Sequence, residues 1–228
     1  MFMRKNGFSL MELSISLVII GFIVGSISIG SNIYNQSKLR SVIKEIDMIN
    51  NSFNSFTDIY SSFPGDIKNP PSSWLANSGN GNSIIDIPQE TSNAWHHLYK
   101  AGLINNQFSA TNGSTYNLYA SLYNNGNYDL RNLTAFNSGA KNGIEFGAIN
   151  TAAYRFAASY SILTSRNTYY IDNKIDDGIA NQGVFYGVDA DDTATGNCSA
   201  NYTNNSTSVI NYNLSTTTVS CRIFYWPN

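Results

Sequence analysis

An uncharged apolar run near the amino terminus constrains this chain more than any other feature. The run covers residues 13–30 and is close to the roughly 20 residues that an α-helix needs to cross a membrane. Glu12 lies directly before it, inside the apolar zone, and Arg4 and Lys5 come shortly before that zone. Because basic residues stay on the cytoplasmic side, the sequence predicts one membrane-spanning helix at about residues 10–31 with a cytoplasmic amino terminus.

Three interpretations of this segment differ in how they treat Glu12. A cleaved secretory signal has a shorter apolar region than this one. A plain single-pass anchor explains the length but not Glu12, because a carboxylate in hydrocarbon costs roughly 2.5–3.5 kcal/mol on insertion scales. The third interpretation assigns the carboxylate a function, and it comes from a resemblance.

A short basic leader that ends in Gly7, followed by Phe8, then Glu12 and an unbroken apolar helix, resembles the type IV prepilin signature. The resemblance implies that residues 1–7 are a leader, which a prepilin peptidase removes between Gly7 and Phe8. It also implies N-methylation of Phe8. Glu12 would pair with the terminal amine of a neighbouring subunit and so set the register of a filament, since a buried carboxylate is tolerated when it is paired.

The segment departs from that family in one respect. Many pilins have a proline about twenty residues into the mature helix, and this chain has none before Pro64. Gly21, Gly25 and Gly30 interrupt the helix instead. They favour either local melting during assembly or, in the interpretation we prefer, close packing between helices.

A second helical pattern continues beyond the apolar run. Apolar residues recur at alternating spacings of three and four, and the turn residues at 63–66 end the pattern. We predict one long helix over residues 8–62, with an apolar stripe that packs on the chain's own globular part; a coiled-coil dimer is the alternative. The stripe consists of Leu39, Val42, Ile46, Ile49, Phe53, Phe56 and Tyr60.

Residues 63–228 are expected to form a globular domain. A loop-rich connector extends to residue 89, and a short helix capped by Thr91 or Ser92 ends at Gly102. Further on, β-prone runs alternate with Asn-Gly, Ser-Gly and Asp-Gly pairs, which favours antiparallel strands. We expect strands at residues 116–123, 143–149, 154–164, 168–171, 183–188, 208–214 and 222–226, although 152–165 fits a helix equally well. The fold class is therefore α+β, and the pilin resemblance implies a lollipop shape.

Cys198 and Cys221 lie beyond the apolar run, in an oxidising compartment if the amino terminus is cytoplasmic. We expect them to pair, which would stabilise the polar loop 198–221 by about 3 kcal/mol; two free buried thiols are the alternative. A disulfide-bounded loop near the carboxyl end is also a feature that the pilin resemblance implies.

Asp172, Asp176 and Asp177 gather before Gly178 and are the candidate metal ligands. Calcium takes six to eight oxygens from such turns, and some pseudopilins use calcium in this part of the domain. Turn formation explains the same residues, because Asp and Asn are turn formers. Apart from this calcium hypothesis we expect no cofactor.

The remaining sequence gives little support to an enzyme or a nucleic-acid binder. His96 and His97 point about 100° apart on a helix, so we expect them to be solvated side chains rather than joint ligands. Charged residues are 12% of the 228 and the net charge is −2, unlike the basic face of a nucleic-acid binder. The sequence contains neither a phosphate-binding loop nor a nucleophile-elbow motif.

The pilin resemblance implies a structural subunit of a type IV pilus-like filament or of a type II secretion pseudopilus. Its partners would be other pilin-like subunits, a prepilin peptidase and methyltransferase, an inner-membrane assembly platform and membrane lipid. The protein would span the bacterial inner membrane once with a periplasmic domain, and would reach a filament or the cell surface after assembly. The alternative is a non-polymerising, membrane-anchored periplasmic binding domain or enzyme.

Overall fold

A computed structural model describes Gly7 and residues 9–86, 89–109, 117–133, 142–150, 158–192, 196–199 and 208–226, with the backbone alone for residues 28, 29 and 32. The chain divides into two units, residues 1–39 and residues 40–228. Helix α1, Leu10–Tyr60, contributes residues to both.

The first unit consists mainly of the apolar part of α1. The segment Leu10–Ile27 is long and apolar enough to cross a membrane, and none of it is buried within the chain. Phe22, for example, is 74% exposed. A helix that is apolar on all sides is suited to apolar surroundings. The predicted apolar helix is therefore confirmed, and it fits single-pass membrane anchoring.

The second part of α1 has a single buried stripe, as predicted. Val42, Ile46 and Phe56 are fully buried, and Tyr60 at the end is half-buried. Ser61 follows with a φ of 51°, so the helix stops just before the Phe63-Pro64 segment. Further along the chain lie a single 3₁₀ turn, Ser72–Trp74, and two helices, α2 (Gln89–Lys100) and α3 (Ser165–Ile175).

Six antiparallel strands form the sheet of the second unit in the described part of the chain. They are β1 (Tyr119–Ala120), β2 (Asn127–Asn132), β3 (Asn142–Gly147), β4 (Leu163–Thr164), β5 (Phe185–Asp189) and β6 (Val219–Tyr225). The order is β1-β2-β3-β6-β4, and β5 also pairs with β6. Together with the helices, this sheet makes the chain α+β, as expected.

The two faces of the sheet differ in chemistry. Tyr128 on β2 packs at 4.6 Å, ring centre to ring centre, on its cross-strand neighbour Phe146, and its hydroxyl group reaches α1 at Glu45 (2.8 Å). Side chains alternate along a strand, so the residues between these point to the other face. Asp129 and Glu145 lie there, directly opposite each other in the register.

Several strand predictions were wrong. Residues 168–171 lie within α3, because Thr164 caps that helix by accepting a hydrogen bond from the Asn167 N–H (3.3 Å). Residues 208–214 form only an isolated bridge between Tyr212 and Ser199. Strand β2 was not expected. The predictions at 143–149, 183–188 and 222–226 correspond to β3, β5 and β6, while residues 116 and 151–157 lie outside the described part of the chain.

Candidate functional site

The amino-terminal end of α1 is closed by a pair of reciprocal hydrogen bonds. The Ser9 N–H donates to Glu12 Oε2 (3.0 Å), and the Glu12 N–H donates to Ser9 Oγ (3.2 Å). This is the capping box, in which a Ser and a Glu three residues later satisfy two backbone donors at a helix start. The Ser-Leu-Met-Glu spacing is the sequence signal for it, although no capping box was predicted there.

The capping box fixes one carboxylate oxygen of Glu12 and leaves the other available. In the described part of the chain, Oε1 accepts no hydrogen bond, and the surrounding residues Leu10 and Met11 are exposed. Glu12 also lies in the first turn, where the helix dipole favours a negative charge. The residue can therefore accept a further cationic donor without giving up its local bond.

The residues predicted for processing lie just before this turn. Gly7 is exposed, and a side chain added there would meet nothing within 4 Å. Phe8 lies outside the described residues, so the structure does not test the expected cleavage and methylation. Farther along α1, a side chain added at Gly21, Gly25 or Gly30 would likewise meet open space, and the helix continues through all three.

Cys198 and Cys221 form the expected disulfide, and both are fully buried. Cys221 lies on β6, and Cys198 is held by its N–H, which donates to Asp189 Oδ1 (2.7 Å). The bond ties residues 196–199 to the sheet. The predicted loop between the two cysteines is described only in part, at residues 199 and 208–220.

Asp172, Asp176 and Asp177 do lie together, with carboxylate oxygens within 4.8 Å of one another. Each carboxylate already accepts hydrogen bonds from the chain. Asp172 accepts from the Tyr212 hydroxyl group (2.7 Å), Asp176 from the Phe185 N–H (3.1 Å) and Asp177 from the Ile179 N–H. These bonds hold the turn after α3, which is the structural role that turn formation predicts.

Burial, more than neighbouring charge, determines the protonation of Asp172. Desolvation raises its pKa to about 7, and the Tyr212 hydrogen bond opposes that rise. Burial of the phenol raises the pKa of Tyr212 well above its ordinary value, and the charge of Asp172 adds to that rise. A cation here would stabilise the ionised form, so calcium binding stays a testable prediction.

The prediction of solvated histidines was wrong. His96 and His97 are buried, because the connector 63–86 and the residues after α2 cover their helix face. His97 Nδ1 accepts a hydrogen bond from the Gly65 N–H (2.9 Å), and burial, followed by the charge of His96, lowers its pKa to about 4. The ring nitrogens of His96 lie 2.7 Å from the Phe108 carbonyl oxygen and 3.1 Å from that of Trp74.

The connector is also more ordered than its composition suggested. Asp66 is buried and accepts three backbone N–H bonds, from Gly81, Asn82 and Ser83. Gly65 before it has a φ of 90°, and a side chain added there would lie 2.3 Å from the Glu90 carbonyl oxygen. The Pro-Gly-Asp segment therefore joins the connector to α2 and does more than end α1.

A buried ionic cluster lies on the sheet face opposite Tyr128 and Phe146, and it was not expected from the sequence. Glu145 is 1% exposed and contacts two guanidinium groups, Arg131 on β2 (2.9 Å) and Arg222 on β6 (3.0 Å). Arg222 also contacts Asp191 (2.9 Å). Two such charge-assisted contacts on one carboxylate link β2, β3 and β6 across the sheet.

Asp129 also belongs to this cluster, and one of its carboxyl oxygens has no hydrogen-bond donor among the described residues. Its Oδ1 is buried and accepts no hydrogen bond in the described part of the chain. Desolvation raises the pKa of Asp129 to about 8, Arg131 opposes the rise, and Glu145 adds to it. Asp129 is therefore predominantly protonated at neutral pH while Glu145 is paired with its two arginines.

Comparison of the chain with protein-family models, curated proteins and solved structures found no match in any of the three.

Proposed function

We propose that the chain is a structural subunit of a type IV pilus-like filament or a secretion pseudopilus, made with a leader and assembled through α1. One observation carries the proposal: an exposed apolar segment long enough to cross a membrane contains a carboxylate, Glu12, in its first turn. A carboxylate in that position is expensive unless a partner neutralises it. The Gly7-Phe8 pair before it resembles a prepilin processing site.

In this proposal the work of the chain is mechanical. A peptidase and a methyltransferase act on Gly7 and Phe8, and the apolar helices of neighbouring copies then pack side by side. Glu12 Oε1 accepts a hydrogen bond from the terminal amine of the adjacent copy, while Oε2 keeps its bond from the Ser9 N–H. The domain faces the periplasm, where the disulfide forms, and leaves with the filament. No catalytic group is assigned, and calcium at Asp172 is the one cofactor hypothesis.

The test is the amino terminus of the protein isolated from cells that contain a prepilin peptidase. We expect mass spectrometry to find a chain that begins with methylated Phe8, and we expect Gly7→Val to abolish that species. An intact leader in both proteins would refute processing. A membrane-anchored binding domain or enzyme, the alternative function, predicts that intact leader.

Glu12 separates the two functions at the level of assembly. We expect Glu12→Leu to stop filament formation while the variant still inserts, because the amine of the neighbour loses its counter-ion and an unpaired buried charge costs about 3–5 kcal/mol. Ser16→Leu, one turn farther along, is the matched control and should assemble. A Glu12→Leu protein that assembles normally would remove the basis of the proposal.

A further inference from the structure

His96 on α2 has a carbonyl oxygen beside each of its two ring nitrogens. Its Nδ1 lies 2.7 Å from the Phe108 carbonyl oxygen, and its Nε2 lies 3.1 Å from the Trp74 carbonyl oxygen. The side chain is 4% exposed, so bulk water has little access to either contact. His96 therefore connects α2 to two separate segments, the 3₁₀ turn before the helix and the chain after it.

These two contacts require two donors on one ring. A carbonyl oxygen accepts hydrogen bonds and cannot donate them. A neutral imidazole has one N–H and one unprotonated nitrogen, whereas the imidazolium cation donates from both nitrogens. In the neutral ring a nitrogen lone pair would face a carbonyl oxygen, and one buried acceptor would lose its donor. Both bonds are therefore made only when His96 carries two ring protons.

The neighbouring histidine is held in the opposite state. His97 Nδ1 accepts a hydrogen bond from the Gly65 N–H (2.9 Å), so that nitrogen carries no proton. Burial, followed by the charge of His96, lowers the pKa of His97 to about 4. The two rings are 6.5 Å apart, centre to centre. The contacts thus favour a charged ring at His96 and a neutral ring at His97.

The segments that contact His96 supply no counter-ion for its charge. Residues 69–85 and 101–109 provide both carbonyl groups and contain no charged residue. On α2, the titratable neighbours are His97 and, one turn farther on, the cation Lys100. The carboxylates that border the connector accept hydrogen bonds from the connector itself: Asp66, Asp86 and Glu90. Two carbonyl groups alone hold the second proton, and histidine is the side chain whose charge changes between about pH 5 and 8.

We propose that His96 is a pH-sensitive clamp. With two ring protons it holds the 3₁₀ turn and the segment after α2 against the helix, and with one proton it releases the turn. The shorter contact, at Nδ1, keeps its proton, so the Nε2 proton leaves and the Trp74 carbonyl group loses its donor. This device belongs to the domain and does not depend on filament assembly.

Release of the turn affects the packing at the end of α1. The Trp74 ring packs edge-on against the Tyr60 ring, 5.1 Å between centres, and lies 5.8 Å from the His97 ring. At the acidic end of the range, protonation of His97 removes the bond from Gly65, which belongs to the same connector. The connector is therefore fully attached only between the pH at which His97 gains a proton and the pH at which His96 loses one.

Nitrogen NMR of the histidine rings tests the protonation directly. The full chain is labelled with nitrogen-15 histidine, purified in detergent without a histidine tag, and measured between pH 6 and pH 8. His96 and His97 are the only two histidines, so two ring systems are observed. At pH 6 we expect one ring with two protonated nitrogens and one ring with an unprotonated Nδ1. The first ring should lose its Nε2 proton as the pH rises.

Amide hydrogen exchange measures whether the clamp opens. The Trp74 and Leu75 N–H groups are hydrogen-bonded within the 3₁₀ turn. Their protection, corrected for the intrinsic exchange rate, should fall about ten-fold from pH 6 to pH 8. The Ile162 N–H, bonded to the Cys221 carbonyl oxygen, is the internal control and should keep its protection. Two histidines that each have an unprotonated nitrogen at pH 6, or a turn equally protected at both pH values, would overturn the inference.

A matched pair of variants separates the two histidines. His96→Gln has no titratable ring, so protection of the 3₁₀ turn should be the same at pH 6 and pH 8. His97→Asn keeps His96 and should retain the decrease of about ten-fold. A folded His96→Gln chain that still responds to pH as the unmodified chain does would contradict the clamp. If His96→Gln does not fold, the nitrogen spectra of the unmodified chain decide the question.

Discussion

Replacing Asp129 by asparagine is expected to stabilise the chain at pH 7 and to leave its stability unchanged near pH 4. Asp129 is buried opposite Glu145, and one of its carboxyl oxygens has no donor among the described residues. The native state tolerates this side chain best as the neutral acid. Asparagine has the same shape, carries no charge and donates a hydrogen bond, so it reproduces that neutral form at every pH.

The size of the effect follows from the difference in pKa between the folded and unfolded chains. Burial raises the pKa of Asp129 to about 8 in the folded chain, against roughly 3.9 in an unfolded one. A raised folded pKa means that the favourable neutral form contributes fully below about pH 4 and that stability is lost as the pH rises toward 8. At pH 7 this is about three pKa units, or on the order of 4 kcal/mol.

The measurement is thermal unfolding of the full chain in detergent, followed by near-ultraviolet circular dichroism at pH 4 and pH 7. For a chain of this size, 4 kcal/mol corresponds to an increase in Tm on the order of 10 °C at pH 7. Asp58→Asn, at an exposed position on α1, is the control and should change little at either pH. A gain that is equal at the two pH values, or a loss at pH 7, would refute the assignment of Asp129 as a buried neutral acid.

Three further expectations concern the domain. Gly65→Ala should lower the free energy of unfolding by about 3 kcal/mol, because a Cβ there meets a backbone oxygen at 2.3 Å; Gly102→Ala, with positive φ but open space, should cost about 1 kcal/mol. Burial lowers the pKa of His97 to about 4 in the folded chain, so the chain should lose about 3 kcal/mol of stability as the pH falls from 6.5 to 4. A His97→Asn variant whose Tm falls just as steeply over this pH range would contradict the assignment. Joint replacement of Cys198 and Cys221 by serine should cost about 3 kcal/mol in denaturant unfolding, and a reductant should then have no further effect on Tm.

The regular parts of the fold could be predicted from the sequence because their periodicity is simple. The apolar residues of the stripe on α1 recur at spacings of three and four, and Val42, Ile46 and Ile49 among them are fully buried. Helix α3 was mistaken for a strand because Thr168 to Ile171 are β-prone residues, although Thr168 and Asp172 are buried at helical spacing. The Thr164 cap and the packing of one face of α3 outweighed the β-propensity of these residues.

Sequence patterns did not predict the buried ionic cluster of the sheet. Strand β2 alternates Tyr128 and Leu130 with Asp129 and Arg131, and charged residues on alternate positions normally indicate a solvated face. The partners that line this face, Glu145 and Arg222, come from β3 and β6. The candidate site at the amino terminus is local in the sequence, because Gly7, Phe8 and Glu12 lie within one short segment and depend on no tertiary contact; its role stays a prediction.

The placement of β6 has a consequence for the order in which the domain can form during synthesis. This strand follows the other five in the chain, yet it is hydrogen-bonded to three of them, β3, β4 and β5. During synthesis from the amino end, β3, β4 and β5 each have an unpaired edge until β6 has been made. Unpaired strand edges are sites of aggregation. A domain assembled in this way becomes stable late and in one step, after β6 has been synthesised.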